Sequence, residues 1–190
     1  MGNNNVYNNE IIAEINIKED DINKEIRIIN SYEEYIRKNG GVGLLKYKNE
    51  KEIKKNIIEI NNKRIKFPYI HKFNKTGKYI IKYSFLKKIV KINHMISECE
   101  HLTNIDLSNF NTQNVIYMNC MFYGCNFLTN IDLSNFNTQN VKSMKHMFYG
   151  RNSLSNIDLS NFNTKNIIDM NHCSLVVILY FSLFKSFLFH

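Results

Sequence analysis

The chain has 190 residues, 44% of them hydrophobic, and a formal net charge of +8, enough for one or two small domains, each with its own core. The basic excess lies at the front: residues 1–101 hold 20 Lys and Arg against 13 Asp and Glu, whereas residues 102–190 hold 5 against 4. There is no Gly-rich phosphate loop, HExxH, G-x-S-x-G or Ser/His/Asp set, so the sequence reads as a non-enzyme without a cofactor.

Residues 1–9, "MGNNNVYNN", are polar and read as a disordered start. They begin like a myristoylation signal, but Val6 stands where Ser or Thr is wanted. No apolar stretch follows a basic start, so no secretory signal is expected. Residues 10–85 read as a small β-rich α+β domain. "IIAEINI" and "KEIRII" have strand character. "SYEEYIRK" opens with Ser31 and carries Glu34 three residues on, a capping box for a short helix. "KNIIEINNKRIKF" predicts a hairpin around Asn61-Asn62, ended by Pro68, and "GKYIIKYSF" a further strand. The lysine-rich runs "KNEKEIKK" and "NNKRIK" read as solvated surface, and nucleic acid is not expected as a partner.

From residue 86 the chain repeats itself. "LTNIDLSNFNTQNV" stands at 102–115 and again at 128–141, and "LSNIDLSNFNTKNI" at 154–167, a period of 26 residues. The following segments match too: Val115, Met118, Met121 and Phe122 return as Val141, Met144, Met147 and Phe148. Ile105 and Leu107 alternate as in a strand, and the second segment recurs at three and four, one face of a helix. Each unit therefore reads as strand, loop and helical turn. One unit alone cannot bury its apolar side, but stacked units can.

This repeat resembles the 26-residue PARCEL-type repeat of BspA-like leucine-rich repeat surface proteins. The match covers about residues 86–173, and "MFYGC" at Met121–Cys125 carries the helix-side signature. The resemblance implies a leucine-rich-repeat solenoid; the period allows about three units, and the small β-rich domain before them would cap the open end. It also implies a binding or adhesion role at a cell surface, with no catalytic residues. Without a visible signal, a cytoplasmic location stays open.

Residues 26 apart must form columns. Asp106, Asp132 and Asp158, flanked by Asn104, Asn130 and Asn156, read as the ligand-facing row, with carboxylates about 5 Å apart whose mutual repulsion should raise their pKa values. The expected partner is a protein or a polar, repetitive polymer. Asn109, Asn135 and Asn161, and Asn114, Asn140 and Asn166, should bond loop backbone from unit to unit. His94, Cys120, His146 and His172 are all metal-ligand types. A straight ladder cannot surround a tetrahedral ion, so they read as an outward column on the convex side, not as a metal site. Cys99 and Cys125 should stack as reduced thiols, close enough for a disulfide in an oxidising compartment. The tail, "CSLVVILYFSLFKSFLFH", is shorter than a membrane span. It reads as a cap, a membrane anchor or the frameshifted end of a longer array. The competing functional readings are accordingly a membrane-associated structural fragment and a truncated copy without function.

Overall fold

The computed structural model describes residues 9–150 and 157–173. The apolar tail 174–190, nearly all of the polar start and Asn156 lie outside the described residues.

The front of the chain builds β1 (Glu10–Ile17), β2 (Glu25–Arg27), α1 (Tyr32–Asn39), α2 (Glu50–Ile53), β3 (Ile57–Ile60), β4 (Lys63–Ile65), β5 (Ile70–Lys72) and β6 (Gly77–Ser84). β7 (Leu102–Asp106) comes from the first repeat. Five of these form one antiparallel sheet in the order β4-β3-β6-β1-β7, and β2 pairs with β5. Alternation decides the faces of β1. Ile11, Ala13, Ile15 and Ile17 are buried, while Glu10 and Glu14 lie on the other face and meet Lys82 and Lys78 at 2.6 and 2.7 Å.

Local chemistry explains several elements. Ser31 caps α1 by accepting the Glu34 amide through Oγ at 3.1 Å. β3 and β4 join through Asn61 and Asn62, both left-handed (φ 47 and 64), as a tight two-residue hairpin of this hand requires. Asn61 Oδ1 also accepts the Ile80 amide.

The leucine-rich-repeat solenoid expected from the resemblance is not what forms. Among the described residues the sheets are antiparallel, helices are few, and no parallel strand ladder runs along the L-x-x-I-D-L segments. Leu102–Asp106 is a strand because β1 lies beside it, Ala13 opposite Ile105. The identical segment at 128–133 has no such neighbour and is not a strand. The helical turn expected after Val115 is also absent. Val115, Met118, Met121 and Phe122 are buried, but on consecutive tight turns: the amides of Tyr123 and Cys125 bond three residues back. The amides of Met118, Cys120, Phe122 and Gly124 instead donate to carbonyls of the next unit. An α-helix needs those amides for itself.

Successive units therefore lie on one another through this evenly spaced set of bonds and the single parallel bridges Lys91–Tyr117, Tyr117–Ser143 and Ser143–Asp169. Like side chains align: Phe122 on Phe148 at 5.9 Å, Phe110 on Phe136 at 6.1 Å, Phe136 on Phe162 at 6.3 Å. One apolar core runs from Ile11 to Cys173.

At the near end the backbone acceptors of the first unit need partners, since buried carbonyls are costly unpaired. Two buried asparagines supply them. Asn49 Nδ2 donates to Asn93 O (2.8 Å) and Lys91 O (3.4 Å). Asn30 donates its amide to Met95 O (2.8 Å) and its Nδ2 to Ser97 O (3.2 Å).

Candidate functional site

Asp106, Asp132 and Asp158 are all exposed, in one row continuous with the open face of the sheet, where Asp106 lies opposite Ile12. Their expected pKa shift is corrected. All three carboxyls titrate below the usual aspartate range. Each accepts a backbone amide through Oδ1, from Ser108 (2.9 Å), Ser134 (2.8 Å) and Ser160 (2.8 Å). For Asp106 the Ser108 hydroxyl is the larger influence and its amide the next; for the other two the serine amide comes first. Bonds to the charged form lower a pKa, and here they outweigh repulsion between neighbours across solvent. The result is three fixed anions, each with Oδ1 turned into its own loop.

Asn104 and Asn130 are exposed beside this row. Asn104 Oδ1 accepts the Ile105 amide at 3.0 Å. The other asparagine columns do what their loop positions suggested: Asn135 and Asn161 donate to Ser108 O and Ser134 O, Asn140 and Asn166 to Gln113 O and Gln139 O. Buried Thr112 and Thr138 add a tie that the sequence did not single out. Each hydroxyl both donates to and accepts from the backbone of Asn137 or Asn163, one unit on. Their recurrence at the 26-residue period between exposed positions was the available signal.

The His94, Cys120, His146, His172 column does not point uniformly outward. His94 is 5% exposed and stacks on Tyr35 at 4.0 Å. Burial pushes its pKa down to about 3, so the imidazole is neutral. Cys120 is half-buried, its Sγ against Lys145 O at 3.7 Å, and burial pushes its thiol up to about 12. His146 and His172 stack ring on ring at 4.9 Å. Among the described residues no three ligating groups converge as a metal site. All four share something else: φ between 53 and 57. The column marks the residue where each unit reverses, a left-handed position that non-glycine residues seldom take. Gly124 and Gly150 hold a second such position, occupied in the first unit by Glu98 (φ 58). Glu98 is tied there by Lys38 at 3.0 Å and Arg27 at 3.8 Å.

Cys99 and Cys125 are both buried, with Cys125 Sγ donating to Ile96 O at 3.0 Å. Burial, with the neighbouring Cys125 adding to it, raises the Cys99 pKa well above the ordinary range, which makes it a poor nucleophile.

No curated protein and no solved structure matches the chain. A family profile described as "Mycoplasma protein of unknown function, DUF285" matches residues 64–175. That span takes in β5, β6, β7 and every described repeat, more than half of the sequence, and the chain therefore belongs to the DUF285 family of Mycoplasma proteins of unknown function.

Proposed function

We propose that the chain is a non-catalytic interaction module whose working surface is the row of Asp106, Asp132 and Asp158 with Asn104 and Asn130 beside it. The observation that carries the reading is the identical anchoring of the three carboxylates: each is exposed, held by its own serine turn and kept ionised. Fixed charges at a regular spacing suit a partner with a matching cationic or polar repeat, protein or polymer. Each row contributes modestly, and several rows engaged together multiply the affinity. The surface has little apolar area of the kind that anchors a compact protein hot spot, which favours an extended ligand.

The test is binding of a fluorescent oligolysine to the full chain and to the triple variant Asp106→Asn, Asp132→Asn, Asp158→Asn. Asparagine can still accept the serine amides, so the fold stays while the charge goes. The variant should bind at least tenfold more weakly, and the difference should shrink with salt. Equal binding by both proteins would show that the row is not the working surface.

A further inference from the structure

A second surface lies in the front half, on a loop that does not include the row just described. Between α1 and α2 runs the loop Gly40-Gly41-Val42-Gly43-Leu44-Leu45-Lys46-Tyr47-Lys48. Its apolar side chains face water: Val42 is 90% exposed, Leu45 78% and Leu44 50%. Three large apolar residues exposed within four positions differ from the singly scattered ones that any surface carries.

The loop is firmly rooted. Arg37 bridges Glu34 and Glu50, at 2.8 Å to each, and so pins the end of α1 to the start of α2. Tyr32 Oη accepts the Leu44 amide at 2.8 Å, and Asn93 Nδ2 donates to Tyr47 O at 2.9 Å. The base is thus built into the core while the tip is left out. Gly40 and Gly41, with φ of 74 and 119, let the chain leave the helix without side chains at the turn.

From Gly40 to Lys55 every exposed charged residue is a lysine, and the glutamates are half-buried. Lys46, Lys48, Lys51 and Lys55 are exposed, and none pairs with a carboxylate among the described residues. The local acids are committed elsewhere. Glu33 accepts the amides of Asn49 and Glu50. Glu52 accepts those of Val90 and Lys91. Glu34 and Glu50 hold Arg37, and Glu50 also holds Lys54.

We propose that this loop is a membrane-contacting finger, inserting Val42, Leu44 and Leu45 into the headgroup boundary of an anionic bilayer while the lysines meet its lipid phosphates. An apolar tip within a basic rim combines the two attractions that hold peripheral proteins to such surfaces. Lysines, and not the arginine and aromatic anchors of protein interfaces, favour a lipid surface over a protein pocket.

The chain has no tryptophan, so Leu45→Trp places a single reporter at the tip. With vesicles of phosphatidylglycerol and phosphatidylcholine its emission should shift to the blue and be quenched by brominated acyl chains. Salt should reverse both effects, and pure phosphatidylcholine should cause neither. Leu86→Trp, at another exposed leucine (62%), should not respond. The double variant Leu44→Ser, Leu45→Ser should lower vesicle partition about tenfold or more, and each of Lys46→Gln, Lys48→Gln and Lys51→Gln about fivefold. Their melting should match the parent, since these side chains are exposed. Equal responses from both tryptophans would overturn the proposal, as would unchanged partition of the double serine variant. A blue shift that followed protein concentration without lipid would overturn it too, assigning the tip to contact between copies.

Discussion

Asn49 is the residue on which the junction between the front of the chain and its repeats most depends. It is 2% exposed, and its amide faces two ways. Oδ1 accepts the Tyr32 amide at 2.9 Å, while Nδ2 donates to Asn93 O at 2.8 Å and, at the long distance of 3.4 Å, to Lys91 O. Asn49→Leu preserves most of the volume and removes all three contacts. The substitution strands the buried Tyr32 amide and Asn93 carbonyl, each at about 1–3 kcal/mol. The sum is about 2–6 kcal/mol, a large share of the stability of a small protein. Urea unfolding followed by circular dichroism, with the slope shared between proteins, measures it directly. Asn49→Asp sharpens the test. It keeps the acceptor for Tyr32 but sets a carboxylate oxygen against two carbonyls, so it should destabilise at neutral pH as strongly as leucine. A loss under about 1 kcal/mol for leucine, or a neutral aspartate variant, would refute this account of how the repeats are terminated.

Thr138→Val keeps shape but strands both backbone groups of Asn163, and should cost about 2 kcal/mol in the same assay; Thr112→Val, which strands those of Asn137, should cost about as much. Stability should fall as pH drops from about 6.5, the ordinary histidine value, toward the folded value of about 3 for His94, because the unfolded chain takes up the proton first; His94→Gln should flatten that part of the profile in melts run between pH 7 and 4. Gly124→Ala should lose about 1–2 kcal/mol through its φ of 68, since a Cβ there would meet only ordinary contacts, the nearest 3.7 Å away. Asn62→Gly, at φ 64, should raise the melting temperature slightly, glycine being the favoured second residue of such a hairpin.

What could be read from the sequence was what its own neighbours decide. Ser31 with Glu34 marks a helix start within four residues, and Asn61-Asn62 marks a hairpin within two. The 26-residue period placed the phenylalanine and asparagine columns, because equal spacing forces equal neighbours. What escaped was decided from farther away. Leu102–Asp106 and its identical copy at 128 differ in structure because only the first meets β1, and nothing within the repeat could show that. The Val115 to Phe122 spacing suits either a helix or a run of turns, and the choice fell to amides engaged by the next unit. Asn30 and Asn49 look like ordinary loop asparagines, since the carbonyls they satisfy lie 67 and 44 residues away. The raised aspartate pKa values followed from counting charges and overlooking the serine two places on, a turn donor present in every copy.

The direction of the bonds between units sets how the molecule should yield to force. They run along the axis on which the units are piled, so tension applied across the pile loads one layer at a time and peels it away. β1 and β6, paired over eight residues of register, would instead be sheared, with all their bonds strained together. Under a steady pull the repeats should come off first, in steps. Each freed unit of 26 residues would lengthen the chain by roughly 80–85 Å, at about 3.4 Å per extended residue less the thickness of one layer. The sheet would break last, in a single larger event. Anything gripping the far end of the repeats would thus be joined to the front of the protein through a graded mechanical fuse.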